Sequence, residues 1–324
     1  MPTSSTESEA DMKLLRTFSF LSIVVVISSA ALAQAPVTPN AKPPEELAKS
    51  SNKQLEANKM LVLNLFREIL EARHMELADK YLASDFIQHN PNAANGLPAL
   101  KQYFAAQNTQ PREIQPKVQR KVVAMVAEGD MTLIVSPREL TDPKDKAQKY
   151  TTVGFDMYRI KKGKVIEHWD AALKNANAPT AAYTPVTPDS RSAEELAKSS
   201  DKKLEANKML IVNMWREAIE GRQREAINKY FAPNFIQHAA TMAPGLEGIK
   251  NMVNRGQPQA VPPKTGLRPT ALIAEGDFVA AIFPRQYADP KDPSKKYTTA
   301  GLELYRIENG KIVEHWDEHE KSST

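Results

Sequence analysis

Two short segments of this 324-residue chain carry residue types that could do chemistry. The first runs from Phe155-Asp156-Met157-Tyr158 through Lys161-Lys162-Gly163 to Glu167-His168-Trp169-Asp170. The second repeats the pattern with Glu303, Tyr305, His315 and Asp317. Two carboxylates and an imidazole on one wall of an apolar cavity can serve as general acid and base. Desolvation and mutual repulsion raise at least one carboxylate pKa, which suits that group to take a proton next to a carbonyl.

Each segment reads as a β-hairpin, and its loop length decides which side chains share a face. A two-residue turn needs positive φ at Lys162, which suits Lys poorly. A three-residue loop with Gly163, or Gly310, in the left-handed position is therefore expected. That register sets Asp156 opposite His168 and Gly154 opposite Asp170, with Asp156, His168 and Asp170 on one face. A two-residue loop would set Asp156 opposite Trp169 instead. The second hairpin offers Glu303, His315 and Asp317, with Gly301 in the open position.

His89 closes Phe86-Ile87-Gln88-His89 at a strand end and is a candidate substrate ligand, with Asn90 and Tyr158 beside it and His238 as its repeat. The second copy continues Ala239-Ala240-Thr241 and lacks the Asn90-Pro91-Asn92 turn, so its site is expected to matter less. No closely spaced histidine pair, P-loop, dinucleotide fingerprint or serine elbow is present. Neither a metal nor a cofactor is expected.

The elements that must hold these residues are duplicated. The segment from Glu45 recurs from Glu194 at an offset of 149, which becomes 147 after a two-residue deletion between about Tyr103 and Val126. The expected organisation is a linker over 34–44, a domain over 45–172, a Pro- and Ala-rich linker over 173–193 and a second domain over 194–320. Both linkers are expected to be extended and exposed. Leu55, Val62, Phe66 and Ile69 recur at helical spacing, predicting a helix over 52–72. A short helix near 76–82, a strand over 85–89, a helix over 97–106 and strands over 117–127, 131–137 and 149–170 follow. Helices first and a mostly antiparallel sheet after them make the fold class α+β. A curved sheet leaves one broad face uncovered, so the two copies are expected to pack as an intrachain pseudo-dimer through faces that include Trp169 and Trp316.

With 41% hydrophobic and 25% charged residues the chain has a globular composition. Its net charge of +4 is too small and too dispersed for a nucleic-acid partner. The lack of cysteine excludes disulfides, thiolate metal sites and a cysteine nucleophile. Lys13 and Arg16 precede the apolar stretch Phe18 to Ala33, which ends Ala31-Leu32-Ala33. This reads as a signal peptide over 1–33 with the natural start at Met12, giving a periplasmic or secreted protein without stable membrane insertion.

The segments Asp85 to Gly96, Val126 to Asp130, Phe155 to Ile160 and Gly163 to Asp170 together resemble the SnoaL-like polyketide cyclases of the nuclear transport factor 2-like superfamily. The likeness is strongest to bacterial proteins described as SnoaL-like and aldol-condensation-catalysing. It implies a cone-like domain in each copy, a pocket for a small apolar molecule, and a cofactor-independent aldol-type cyclase or isomerase with Asp170 as acid/base. The position of Asp156 is commonly histidine in those cyclases. A non-catalytic periplasmic binding module is the alternative on the same fold.

Overall fold

The computed structural model describes residues 34–107, 110–177 and 182–322. The leader expected over 1–33 lies outside them. Among the described residues no helix is long and apolar enough to cross a membrane.

In repeat one a short helix α1 (Pro44–Leu47) leads into α2 (Lys53–Leu65). Asn52 caps α2 by accepting the amides of Gln54 and Leu55, as Asp201 caps its counterpart with Lys203 and Leu204. The helical pattern predicted through 72 continues as a π-helical turn, Phe66–Glu71. After a 3-10 turn, Met75–Lys80, come β1 (Leu82–Gln88) and α3 (Leu97–Ala106). The sheet then adds β2 (Ala124–Glu128), β3 (Met131–Thr141), β4 (Lys149–Lys161) and β5 (Lys164–Asp170). The expected strand over 117–127 is regular only from Ala124.

Repeat two follows the same plan with α4 (Ala193–Ala197), α5 (Lys202–Met214), α6 (Glu225–Tyr230), β6 (Phe231–Gln237) and α7 (Leu246–Val253). It closes with β7 (Ala271–Glu275), β8 (Phe278–Asp289), β9 (Asp292–Glu308) and β10 (Lys311–Asp317). Each repeat has a five-stranded sheet, ordered β1-β5-β4-β3-β2 and β6-β10-β9-β8-β7. The only parallel pairs in these two sheets are β1 with β5 and β6 with β10.

The hairpin corrects the expected loop. Lys161 pairs with Lys164, so the turn is the two-residue Lys162-Gly163, with φ of 50° and 71°. Asn309 and Gly310 adopt the same turn at 50° and 70°. Both central residues are left-handed, as a type I′ turn requires. That turn alone would place Asp156 opposite Trp169. A bulge intervenes: Val165 faces Ile160 but Glu167 faces Arg159, leaving Ile166 as an extra residue. Beyond it Tyr158 faces His168 and Asp156 faces Asp170. The expected pairs, Asp156 with His168 and Gly154 with Asp170, are therefore displaced by one pleat. Gly154 instead faces Ser136, and the space above it holds Arg138, whose Cδ lies 2.8 Å from where a Cβ would stand.

Alternation along β4 and β5 divides the side chains between two cores. Tyr158 and Ile160 join Phe66, Ile69 and Phe86 under the helices of repeat one. Phe155, Met157 and Trp169 point to the other face, where they share a core with Leu302, Leu304 and Trp316 of repeat two. Two reciprocal ion pairs cross between the repeats. Buried Lys59 reaches Glu275 at 2.7 Å, and Lys208 reaches Glu128 at 2.7 Å. The second oxygen of each carboxylate accepts an opposing strand amide, Ala127 and Ala274, both at 2.8 Å.

The linkers are extended but not free. Val37 and Val186 are buried in the shared core, and their amides donate to Thr151 and Thr298. The segment before repeat two reaches back to repeat one through the Thr184 carbonyl, and the segment before repeat one meets repeat two through the Ala35 carbonyl. The other described residues over 34–44 and 173–192 are exposed or half-buried, and Val37 and Val186 depart from the expected exposure because each fills a place in the inter-sheet core.

Candidate functional site

The pocket of repeat one lies between the helices and the face of β4 and β5 that carries Asp156, Tyr158, His168 and Asp170. Its volume is about 190 Å³, with walls from Leu65 at the end of α2, from Ile69 and Leu70 on the π-turn and from Phe86 and Phe104. A π-turn widens the helix by one residue per turn, and such turns recur at functional sites.

One end of this pocket is a chain of polar contacts. His168 Nε2 meets Asp156 Oδ1 at 3.2 Å, and His168 Nδ1 meets the side-chain oxygen of Gln88, Oε1, at 2.9 Å. That oxygen also accepts the Asn90 amide at 3.0 Å, which fixes the orientation of Gln88. With acceptors at both nitrogens, His168 is held as an imidazolium. Burial works against this charge, but Asp156 and Asp170 outweigh it and raise the His168 pKa. Burial likewise penalises the Asp156 carboxylate, and His168 with Arg120 at 3.0 Å outweighs that penalty and lowers its pKa. Asp170 goes the other way. Burial pushes its pKa up and the Asp156 charge adds to that, against the opposing pull of His168, the Ala172 amide and Asn90. Asn90 Nδ2 donates to Asp170 Oδ2 at 2.7 Å. Two carboxylates on one strand pair are thus driven apart in pKa, the condition for assigning one as an acid/base.

Tyr158 stacks on His168 at 4.7 Å. Burial and the Asp156 charge raise its pKa well above 10, so its hydroxyl stays neutral and able to donate.

Repeat two rebuilds the arrangement with different supports. Glu303 Oε2 meets His315 Nε2 at 2.7 Å, and His315 Nδ1 meets the side-chain oxygen of Gln237, Oε1, at 2.8 Å. Despite burial, His315 and Arg285 hold the Glu303 pKa down at about 2. The arginine comes from another element. Arg120 precedes β2 in repeat one and is matched by Leu267, whereas Arg285 stands on β8, where repeat one has Arg138. Arg285 reaches Glu303 at 2.7 Å because Gly301 leaves room; a Cβ there would collide with its guanidinium. Ala239 replaces Asn90, and His319 meets Asp317 in its stead at 3.3 Å. The loss of the Asn-Pro-Asn turn therefore leaves Asp317 with a histidine partner in place of an asparagine. The cavity of repeat two is about 450 Å³, larger than the first.

Two expected ligands are corrected. His89 and His238 lie outside both pockets, on the opposite sheet face, stacked on Trp169 and Trp316 at 4.8 and 4.9 Å. His89 is occupied by Glu167 at 2.9 Å and the Thr184 carbonyl at 2.8 Å, and His238 by Glu314 at 3.1 Å and the Ala35 carbonyl at 3.2 Å. Asn90 and Tyr158 do line the first pocket.

Asp156, His168 and Asp170 have donor atoms within 4.8 Å of one another, as do Glu303, His315 and Asp317. Such a spacing could receive a cation. However, both His168 nitrogens already face acceptors, and Arg120 supplies the positive charge that Asp156 needs. The arrangement favours proton transfer over metal binding.

Residues 60–174 and 209–324 match the family model described as SnoaL-like polyketide cyclase. The chain belongs to the SnoaL-like polyketide cyclase family. No protein of curated function matches the chain. Among solved structures it is similar to a candidate polyketide cyclase from Acidithiobacillus ferrooxidans, at 16% identity over 38% of this chain and 89% of that one, with a TM-score of 0.27. It is also similar to IdmH, a candidate polyketide cyclase from Streptomyces antibioticus, at 22% identity over 34% and 89% of the two chains, with a TM-score of 0.25. A third, a candidate polyketide cyclase from Bacillus cereus, gives 21% identity over 43% and 90%, with a TM-score of 0.28. No reaction is carried across from likenesses of this degree.

In both SnoaL-like repeats the glutamine that holds the histidine was missed in the sequence, although strand period could have found it. Phe86 and Gln88 alternate on the pocket side of β1, and period two places His89 on the other side. Arg120 and His319 carried no such signal, because each occurs in only one repeat.

Proposed function

We propose that this chain is an exported acid/base enzyme that acts without a cofactor on a small apolar carbonyl compound, by aldol-type cyclisation or isomerisation. The observation that carries the reading is the pKa split on one wall of an apolar pocket. Asp170 is pushed up while Asp156 is held down by His168 and Arg120. In this reading Asp170 takes a proton from the carbon next to the carbonyl, and the electron pair moves onto the carbonyl oxygen. The Tyr158 hydroxyl, for which no other hydrogen bond is found among the described residues, donates to that oxygen. The enolate carbon then attacks a second carbonyl as the first carbonyl re-forms, and the new alkoxide takes the proton back from Asp170, or the enolate is reprotonated by Asp170 at another position. Export rests on the segment from Lys13 to Ala33.

A binding module is the second reading, favoured by one observation. Both oxygens of Asp170 already accept N–H groups, from Ala172 at 3.1 Å and Asn90 at 2.7 Å.

Deuterium uptake by cyclohexanone in D₂O, followed by proton NMR, decides between them. The ring suits a cavity of about 190 Å³, given that a ~150 Å³ cavity holds benzene. Asp170→Asn combined with Asp317→Asn is expected to slow exchange by roughly 10²–10⁴-fold with the fold intact. Unchanged exchange in the double variant refutes the enzyme, and saturable binding without any exchange in the wild type selects the module.

A further inference from the structure

The two cavities share a floor but not a mouth. In repeat one, Tyr103 and Phe104 of α3 crowd the opening, and Arg73 is held over the Phe104 ring at 5.1 Å. In repeat two the matching positions are Met252 and Val253, and Ala106 is matched by Arg255, which lines the cavity. Arg222, the counterpart of Arg73, has lost its aromatic seat. Its guanidinium lies instead over Gly256, where a Cβ would collide with it, so the glycine next to Arg255 makes room for a second arginine. Neither Arg222 nor Arg255 has a carboxylate within ion-pair distance among the described residues. Below them the walls are apolar, with Met214, Trp215, Met242 and Met252 among them. Methionine walls adapt to ligands of irregular shape. The larger volume, about 450 Å³ against 190 Å³, falls in the range of pockets that enclose an organic ligand of moderate size.

We propose that the second cavity binds an amphipathic carboxylate, its apolar body between Trp215 and the methionines and its anionic head on Arg255 and Arg222. Arginine presents a planar fork that matches a carboxylate, and a rim placement keeps both partners partly hydrated, so neither carries the full cost of desolvation. The two repeats then differ in substrate class. The first takes a compact neutral compound, and the second takes a longer acid whose far end reaches toward Glu303, His315 and Asp317. The proposal rests on the preceding reading only in taking the second cavity as a ligand site.

The test is a titration of the full chain with decanoate, with 1-decanol as the neutral control. Trp215 is the reporter, because it lines the second cavity, Phe66 replaces it in the first, and the other two tryptophans, Trp169 and Trp316, lie in the inter-sheet core. Decanoate is expected to shift Trp215 emission and to bind more tightly than decanol. Arg255→Gln should weaken decanoate about tenfold, Arg222→Gln by less, and Arg255→Lys, which keeps the charge but loses the fork, by an intermediate factor, with decanol unchanged throughout. Equal decanoate affinity in the wild type and Arg255→Gln, decanol binding at least as tightly as decanoate, or no emission change would each overturn it. These readouts do not depend on turnover: a flat titration refutes this proposal alone, and absent ketone exchange refutes the acid/base reading alone.

Discussion

Glu318 has no counterpart in repeat one, where Ala171 stands at its position, and it makes the second site sensitive to pH. The side chain is buried. Oε2 accepts the Leu302 amide at 2.6 Å, while Arg285 Nε is 3.9 Å from Oε1. Burial pushes its pKa from 4.5 to about 7, with Glu303 and Asp317 adding to the rise and His319 and Arg285 opposing it. The unfolded chain ionises this group near 4.5, whereas the folded chain holds the proton up to about 7. Between those values the folded state binds more protons, so stability falls as pH rises, and the whole penalty is present above about 7. At about 1.4 kcal/mol per pH unit the displacement amounts to about 3 kcal/mol. Glu318→Gln keeps the shape and removes the titration. Thermal unfolding of both proteins between pH 4 and 8 should show the wild type losing about 3 kcal/mol relative to the variant across that window. His319, whose pKa is also raised, in part by Glu318, loses its contribution in the same direction, so the difference reports Glu318 together with its coupling to His319. Parallel stability curves for the two proteins would refute the reasoning.

Asp156→Asn removes the anion that holds the proton on His168, so the His168 pKa is expected to fall below its wild-type value; an NMR titration of the ring protons checks this, and an unmoved midpoint refutes it. Lys59→Met leaves the half-buried Glu275 without its cation and should destabilise by about 1–3 kcal/mol in denaturant unfolding, with Glu275→Gln recovering part of the loss. Trp169→Ala, which opens the core shared by both repeats, should cost about 3–5 kcal/mol by the same measurement.

Amino-acid order by itself determined the duplication, the α+β class and most elements. Helical and strand periodicities are local properties, and a sequence repeated at a fixed offset repeats its fold. It also carried the residues of the site, since Asp156, His168 and Asp170 lie within one hairpin. Their exact pairing was not legible. The turn was the two-residue form, and the Ile166 bulge that restored a shared face is fixed by the neighbouring strands. Ile160 donates its amide to the Asp130 carbonyl and Val165 to that of Tyr81, contacts that only the assembled sheet supplies. The direction of His89 was legible through period two. Its partners were not, because Thr184 lies 95 residues away. Tertiary structure alone decided which arginine serves each site, since Arg120 and Arg285 occupy unrelated positions in the two copies yet deliver a guanidinium to the same carboxylate position. A charge can be brought to a point in space from any element that passes near it, and nothing in local sequence records which element will.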